Sequence, residues 1–177
     1  MNKNIFNLML TYIMVSIVTV LHAQITLSPS AGSKVGKAIA ITQSTSLHFG
    51  TMSVPTGAVN IVLSTTNVRT ASIPANVTLL SQSPLRQTAT YTVYGDNNKH
   101  YLITLPTNNV VTISSGANHI HVNNFLPYTN SMGNGHFDGI LNSLGEDTFS
   151  VGATLVLLSG QASGVYTGTF NVTVAYN

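Results

Sequence analysis

Val165-Tyr166-Thr167-Gly168-Thr169-Phe170-Asn171-Val172-Thr173-Val174-Ala175-Tyr176 alternates between two kinds of residue almost without exception. Tyr166, Gly168, Phe170, Val172, Val174 and Tyr176 fall on one side of an extended chain, and Thr167, Thr169, Asn171, Thr173 and Ala175 on the other. Successive side chains of a strand point to opposite faces. The pattern therefore predicts one long β-strand over 165–176, with one face in a core and the other in water.

The same period of two recurs upstream as far as Ala38. Phe149, Val151, Ala153, Leu155 and Leu157 lead through Gly160-Gln161-Ala162-Ser163-Gly164 into the closing stretch. Earlier come Ile39 and Ile41, Leu47 and Phe49, the run Val59, Ile61 and Leu63, and Val77 with Leu79. Ala89, Tyr91 and Val93 end at the turn Gly95-Asp96-Asn97-Asn98, after which Tyr101, Ile103 and Leu105 alternate until Pro106. Val111 and Ile113, then Ile120 and Val122, make shorter runs. No segment of ten or more residues combines helical spacing with caps. Many short strands punctuated by Gly, Pro and Asn predict an all-β sandwich or barrel. Residues 126–145 hold Pro127, four Gly and several Asn and read as a long loop, with Glu146 and Asp147 in a turn before Phe149.

Residues 1–23 read as a cleaved signal peptide. Lys3 supplies the positive start, 5–21 the apolar stretch, and Leu21-His22-Ala23 a small residue before the expected new terminus at Gln24. The competing reading is an uncleaved anchor, because the stretch approaches bilayer thickness. Residues 24–37 then form a flexible leader containing Pro29, and 38–177 a single β-domain. The expected setting is the periplasm, cell surface or extracellular space, with no membrane span in the mature chain. There is no Cys, so neither disulfides nor an N-terminal cysteine lipid can contribute, and the core alone must hold an exported fold.

Charged residues are 6% of the chain, against about 25% in an average soluble protein. After position 24 Lys34, Lys37, Arg69, Arg86 and Lys99 face Asp96, Asp138, Glu146 and Asp147, a net charge of +1 with His neutral. Nucleic-acid binding needs clustered cations, and these are scattered, which excludes that class. A β-protein with so little charge must cover its strand edges or use them for assembly.

From Ala38 onward the chain resembles the DUF4402 family of secreted bacterial β-domains. The resemblance rests on Ala38-Ile39-Ala40-Ile41-Thr42, Leu47-His48-Phe49-Gly50-Thr51, Arg69-Thr70-Ala71 and Tyr91-Thr92-Val93-Tyr94-Gly95. It continues through Tyr101-Leu102-Ile103-Thr104-Leu105-Pro106, Phe149-Ser150-Val151-Gly152-Ala153-Thr154-Leu155 and the closing stretch. The ending and the Leu47-His48-Phe49-Gly50 segment are also similar to the spore coat protein U and archaic chaperone–usher pilin group. That resemblance implies an immunoglobulin-like antiparallel sandwich lacking one strand, which an N-terminal extension of the next subunit supplies. Many of those pilins carry a disulfide near the N-terminus, and this chain does not.

Two function classes follow. The first is a non-enzymatic structural subunit, pilin-like or part of a surface coat, assembled by β-strand addition. Its partners would be other copies or other surface subunits, with a periplasmic chaperone during export. Ile25, Leu27, Ile39 and Ile41 near the N-terminus, and Phe170, Val172, Val174 and Tyr176 at the other end, are the strand-exchange candidates. Residues 38–41 serve equally well as the first strand of their own domain. The second class is a monomeric surface-binding module that recognises a glycan through 126–145, where Tyr128, Asn130, Asn134, His136 and Asp138 are the ligand-loop candidates. Tyr94 and Tyr128, beside turns, are the tyrosines expected to be exposed, whereas Tyr166 and Tyr176 are expected in the core.

Metal and catalytic chemistry find little support. His119 and His121 would share a strand face, with His100, His136 or Asp138 as a third ligand, but no acid or Cys stands at a fixed short offset. The chain has no Gly-x-Ser-x-Gly elbow, and its four acids supply no spaced carboxylate pair. No catalytic residue and no cofactor is assigned.

Overall fold

The alternating runs become eleven strands. A computed structural model describes residues 33, 35–106 and 111–177. In chain order the strands are β1 (Ala40–Thr45), β2 (Val59–Leu63), β3 (Arg69–Ala71), β4 (Ala89–Tyr94), β5 (His100–Thr104) and β6 (Val111–Ser115). They continue with β7 (Asn118–Thr129), β8 (Gly133–Asn134), β9 (Asp138–Ile140), β10 (Glu146–Leu157) and β11 (Thr173–Tyr176). The described residues contain no α-helix, only a 3₁₀ turn at Pro74–Asn76. Gly36–Asn177 is one compact unit.

β10 organises the larger sheet because both of its edges are paired. β7 runs antiparallel along one edge, and β4 and β2 divide the other, opposite 146–151 and 153–157 respectively. Gly152 lies where they meet. A Cβ there would strike the carbonyl oxygen of Leu63 and lie 2.9 Å from the amide nitrogen of Thr65, so only glycine lets the end of β2 come so close. β1 extends the sheet beyond β4 and β3 beyond β2, while β6 and β8 pair with β7. A second sheet runs β11–β5–β9, also antiparallel.

The two sheets close over one apolar core, which makes the protein an all-β antiparallel sandwich. Tyr91 and Val93 of β4 and Phe149 and Val151 of β10 meet Tyr101 and Ile103 of β5 across it. The rings of Tyr91 and Phe149 stack with centroids 5.0 Å apart. Burial alternates strictly along β2, β4 and β5, as the sequence pattern requires, with Val59, Ile61 and Leu63 inside and Asn60 and Val62 outside.

Four expectations are corrected. The closing strand is Thr173–Tyr176, not 165–176. Tyr166, Phe170, Val172 and Val174 still turn toward the core and are half-buried, but among the described residues only Thr167 forms a bridge between Val165 and Val172, with Ser114. Alternation sets which way side chains point, whereas a ladder needs a neighbouring strand, and β5 stops at Thr104. Within the predicted loop 126–145, Leu126, Pro127, Tyr128 and Thr129 belong to β7, and β8 and β9 follow. Pro127 is tolerated because its carbonyl accepts from Gly135 on the β8 side, where a strand residue's N–H also points, so no bond to β10 is lost. Glu146 and Asp147 open β10 instead of occupying a turn. Tyr176 also departs from expectation, since its ring is exposed and its hydroxyl works at the surface.

Candidate functional site

Three places on the domain gather chemistry. The first is the flank between β1 and β11, each an end strand of its sheet. β1 pairs with β4, placing Ile41 opposite Val93, and β11 pairs with β5, placing Val174 opposite Ile103. The two end strands approach each other. At one end a polar corner joins them: the Tyr176 hydroxyl donates to the Lys37 carbonyl at 2.8 Å and accepts from the Asp96 amide at 2.6 Å. Asp96 Oδ1 in turn accepts from the Lys37 amide at 2.8 Å. Ile39, Ile41, Phe170, Val172 and Val174 are all half-buried along these segments, and Phe170 packs on Phe125 with centroids 4.8 Å apart. Ile25 and Leu27 lie outside the described residues.

The second is a groove on the outer face of β2, β10 and β7, about 660 Å³ in volume. The ladder sets Tyr128 of β7 directly opposite Asn134 of β8, and both line the groove. The β2–β3 turn at Ser64, Thr65 and Thr66 forms its far wall, and Gly152 and Thr154 of β10 its floor. Thr65 Oγ1 donates to Asn134 Oδ1 at 3.3 Å, joining wall to wall, and Ser150 Oγ donates to the Thr65 carbonyl at 3.0 Å. A bulge in β7 lies opposite Gly152 and Thr154, with Asn124 at φ +49°. Asn123, paired with Thr154, keeps its Oδ1 buried without a donor among the described residues.

The third is a buried carboxylate. Asp147 Oδ2 accepts from the Tyr101 hydroxyl at 2.9 Å and the Ser131 hydroxyl at 2.5 Å, and its Oδ1 accepts from the Thr148 amide at 2.8 Å. Ser131 Oγ also accepts from the Ile140 amide. Burial pushes the Tyr101 hydroxyl far above the ordinary tyrosine range, with the negative charge of Asp147 and its hydrogen bond adding to that. Strand alternation was the available signal, since Phe149, Val151 and Ala153 on the core face imply that Asp147 shares it. Beside it is a recess of about 290 Å³ lined by Asn130, Asn142 and Glu146.

The ligand-loop residues thus divide among three places. Tyr128 and Asn134 meet in the groove, Asn130 lines the recess, and His136 contacts Asp138 at 3.4 Å at the start of β9. His119 and His121 are on the outer part of β7, with His119 Nδ1 sharing a hydrogen with Ser114 Oγ over 2.8 Å and His121 Nδ1 3.4 Å from Thr112 Oγ1. No three His, Asp or Glu side chains converge among the described residues. No helix among them is long and apolar enough to cross a membrane.

An antiparallel sandwich whose end strands pair on one side only among the described residues, with a groove on the outer face of its larger sheet, defines a class of β-domain whose surfaces carry its chemistry. Within that class, the chain belongs to the family described as "Domain of unknown function (DUF4402)", whose model matches residues 39–176. No curated protein and no solved structure matches it.

Proposed function

We propose that this chain is an exported, non-enzymatic structural subunit of a surface fibre or coat, joined to its neighbours by β-strand addition. The flank between β1 and β11 carries the reading. Each of these strands pairs on one side only among the described residues. An end strand with an open edge is a template for another chain, and charge is the usual protection against that. Here the protection is scarce: β1 and β11 contain no charged residue. Half-buried Ile39, Ile41, Val172 and Val174 leave apolar surface that an alternating strand from a neighbour would finish covering. The chain's own Ile25 and Leu27 supply such an alternation. A subunit with these edges needs protection before assembly, the role of a periplasmic chaperone.

The test compares surface material sheared from cells producing the chain, loaded on an SDS gel boiled and unboiled and probed for this protein. Subunits knitted into one another's sheets resist detergent until heated. A ladder that collapses to a single band on boiling is the expected result. A monomer band in both lanes overturns the proposal.

A further inference from the structure

We infer that the groove on the outer face of β2, β10 and β7 binds a neutral carbohydrate chain, with the Tyr128 ring as its stacking platform. At about 660 Å³ the groove falls within the roughly 300–1,000 Å³ of small-ligand sites. Most of its exposed lining is apolar, led by Val62, Leu126 and Tyr128, which are 40%, 41% and 40% exposed. Its polar part is Ser64, Thr65, Thr66, Asn124, Asn134 and Thr154. Among the described residues, no Asp, Glu, Lys, Arg or His lines it.

That lining selects by chemistry. A sugar ring carries a face of C–H bonds that lies flat on an aromatic ring, and a rim of hydroxyls that each donate and accept. Amides and hydroxyls supply both roles, so the polar side chains at the edge of the groove, Thr65, Asn124 and Asn134, answer such a rim. An anionic ligand would find no cation here, and a cationic one no carboxylate. A wholly apolar ligand would bury the Asn134 and Thr65 polar groups without replacing their water.

The site is also held in place before any ligand arrives. Tyr128 and Asn134 are fixed opposite each other by the β7–β8 ladder, and Thr65 is tied to Asn134 and to Ser150. Gly152 leaves the floor without a side chain that would fill it. A bulge beside a site re-aims side chains that a regular strand would misdirect, and Asn124 is on one. None of the lining residues belongs to β1 or β11, so this inference stands apart from strand exchange.

The experiment applies the purified full chain to an array of neutral hexose and N-acetylhexosamine oligosaccharides alongside uronic-acid and sulfated glycans. An alternating peptide copying residues 24–36 serves as a separate probe. Binding to neutral glycans is expected. Tyr128→Ala and Asn134→Leu should each weaken it about tenfold or more, while Tyr94→Ala, an equally exposed tyrosine elsewhere, should leave it unchanged. Circular dichroism confirms folding, and Asn134→Leu on the surface supplies the same readout if Tyr128→Ala does not fold. A silent array, binding confined to acidic glycans, capture of the peptide in the groove instead of glycans, or neutral binding untouched by the groove variants overturns the assignment.

Discussion

The Arg69 guanidinium donates a 2.7 Å hydrogen bond to the carbonyl of Phe49, twenty residues earlier in the chain. The same group reaches the carbonyls of Thr51 at 3.0 Å and Leu80 at 2.8 Å. A short edge strand, the 47–51 segment and the 79–80 segment are thereby fastened by one side chain. Gly50, at φ +76°, sits between the two first acceptors, where a Cβ would come within 2.7 Å of the guanidinium nitrogen. Burial, and then the charge of Arg86, lowers the Arg69 pKa, yet the group stays charged because guanidinium titrates so high. Arg69-Thr70-Ala71 and Leu47-His48-Phe49-Gly50-Thr51, separate motifs in sequence, are one device in space.

Replacing Arg69 by Ala removes donors from three carbonyls in a part-buried place, which should destabilise the fold by about 2–3 kcal/mol. Arg69→Lys should recover less than half of that, because an ammonium cannot span the three acceptors as a planar fork does. Urea unfolding of the three proteins measures both. Equal stability of Arg69→Ala and the parent would remove the clamp from the account.

The Tyr101–Asp147 pair makes stability fall in alkali. Tyr101 and Tyr91 have pKa values raised by burial, so the folded chain keeps protons that the unfolded chain loses at about pH 10. The unfolded state then binds fewer protons, and stability declines by up to about 1.4 kcal/mol per pH unit for each such group above that point. Below it the contribution is fully present. Urea midpoints recorded from pH 8 to 11 should drop at the upper end, and Tyr101→Phe should flatten that drop. At pH 7 Tyr101→Phe should itself cost about 1–2 kcal/mol by depriving Asp147 of a donor.

Gly152→Ala places a methyl against the Leu63 carbonyl and the turn that follows it. The backbone must shift, at a cost of about 1–3 kcal/mol. Because this turn is also the wall of the groove, the variant should lose stability and groove binding together. Thermal unfolding and the glycan array read the two effects, and an unchanged melting temperature would mean that β2 is free to move away.

Val174→Asn, on half-buried β11 opposite Ile103, keeps the backbone ladder while making the flank polar. It should abolish the detergent-resistant ladder of surface material while leaving the monomer folded. His119→Ala, on β7, should leave the ladder intact. Persistence of the ladder in Val174→Asn would place the exchanged strand elsewhere.

Much of the architecture was legible in period-two patterning. Val59, Ile61 and Leu63, Ala89, Tyr91 and Val93, and Tyr101 and Ile103 are buried as their alternation demands, because facing is a local property of an extended chain. Tyr94 and Tyr128 are exposed as their places beside turns suggested. The composition set the poverty of charge and the lack of disulfides, and the ordered motifs pointed to the DUF4402 family.

Pairing was not legible, because a ladder is a relation between distant segments and no single segment encodes it. Residues 165–172 have the alternation of a strand but only one bridge among the described residues, and the strand chemistry of 126–129 was hidden behind Pro127, with β8 beside it only in space. For the same reason the sequence alone could name Tyr128 and Asn134 but not bring them face to face, nor add Val62 and Thr65 from a segment more than sixty residues away. Only the tertiary structure decided which residues share a groove, which carboxylate is buried, and which strands end their sheets among the described residues, since each depends on backbone hydrogen bonds closing over long loops.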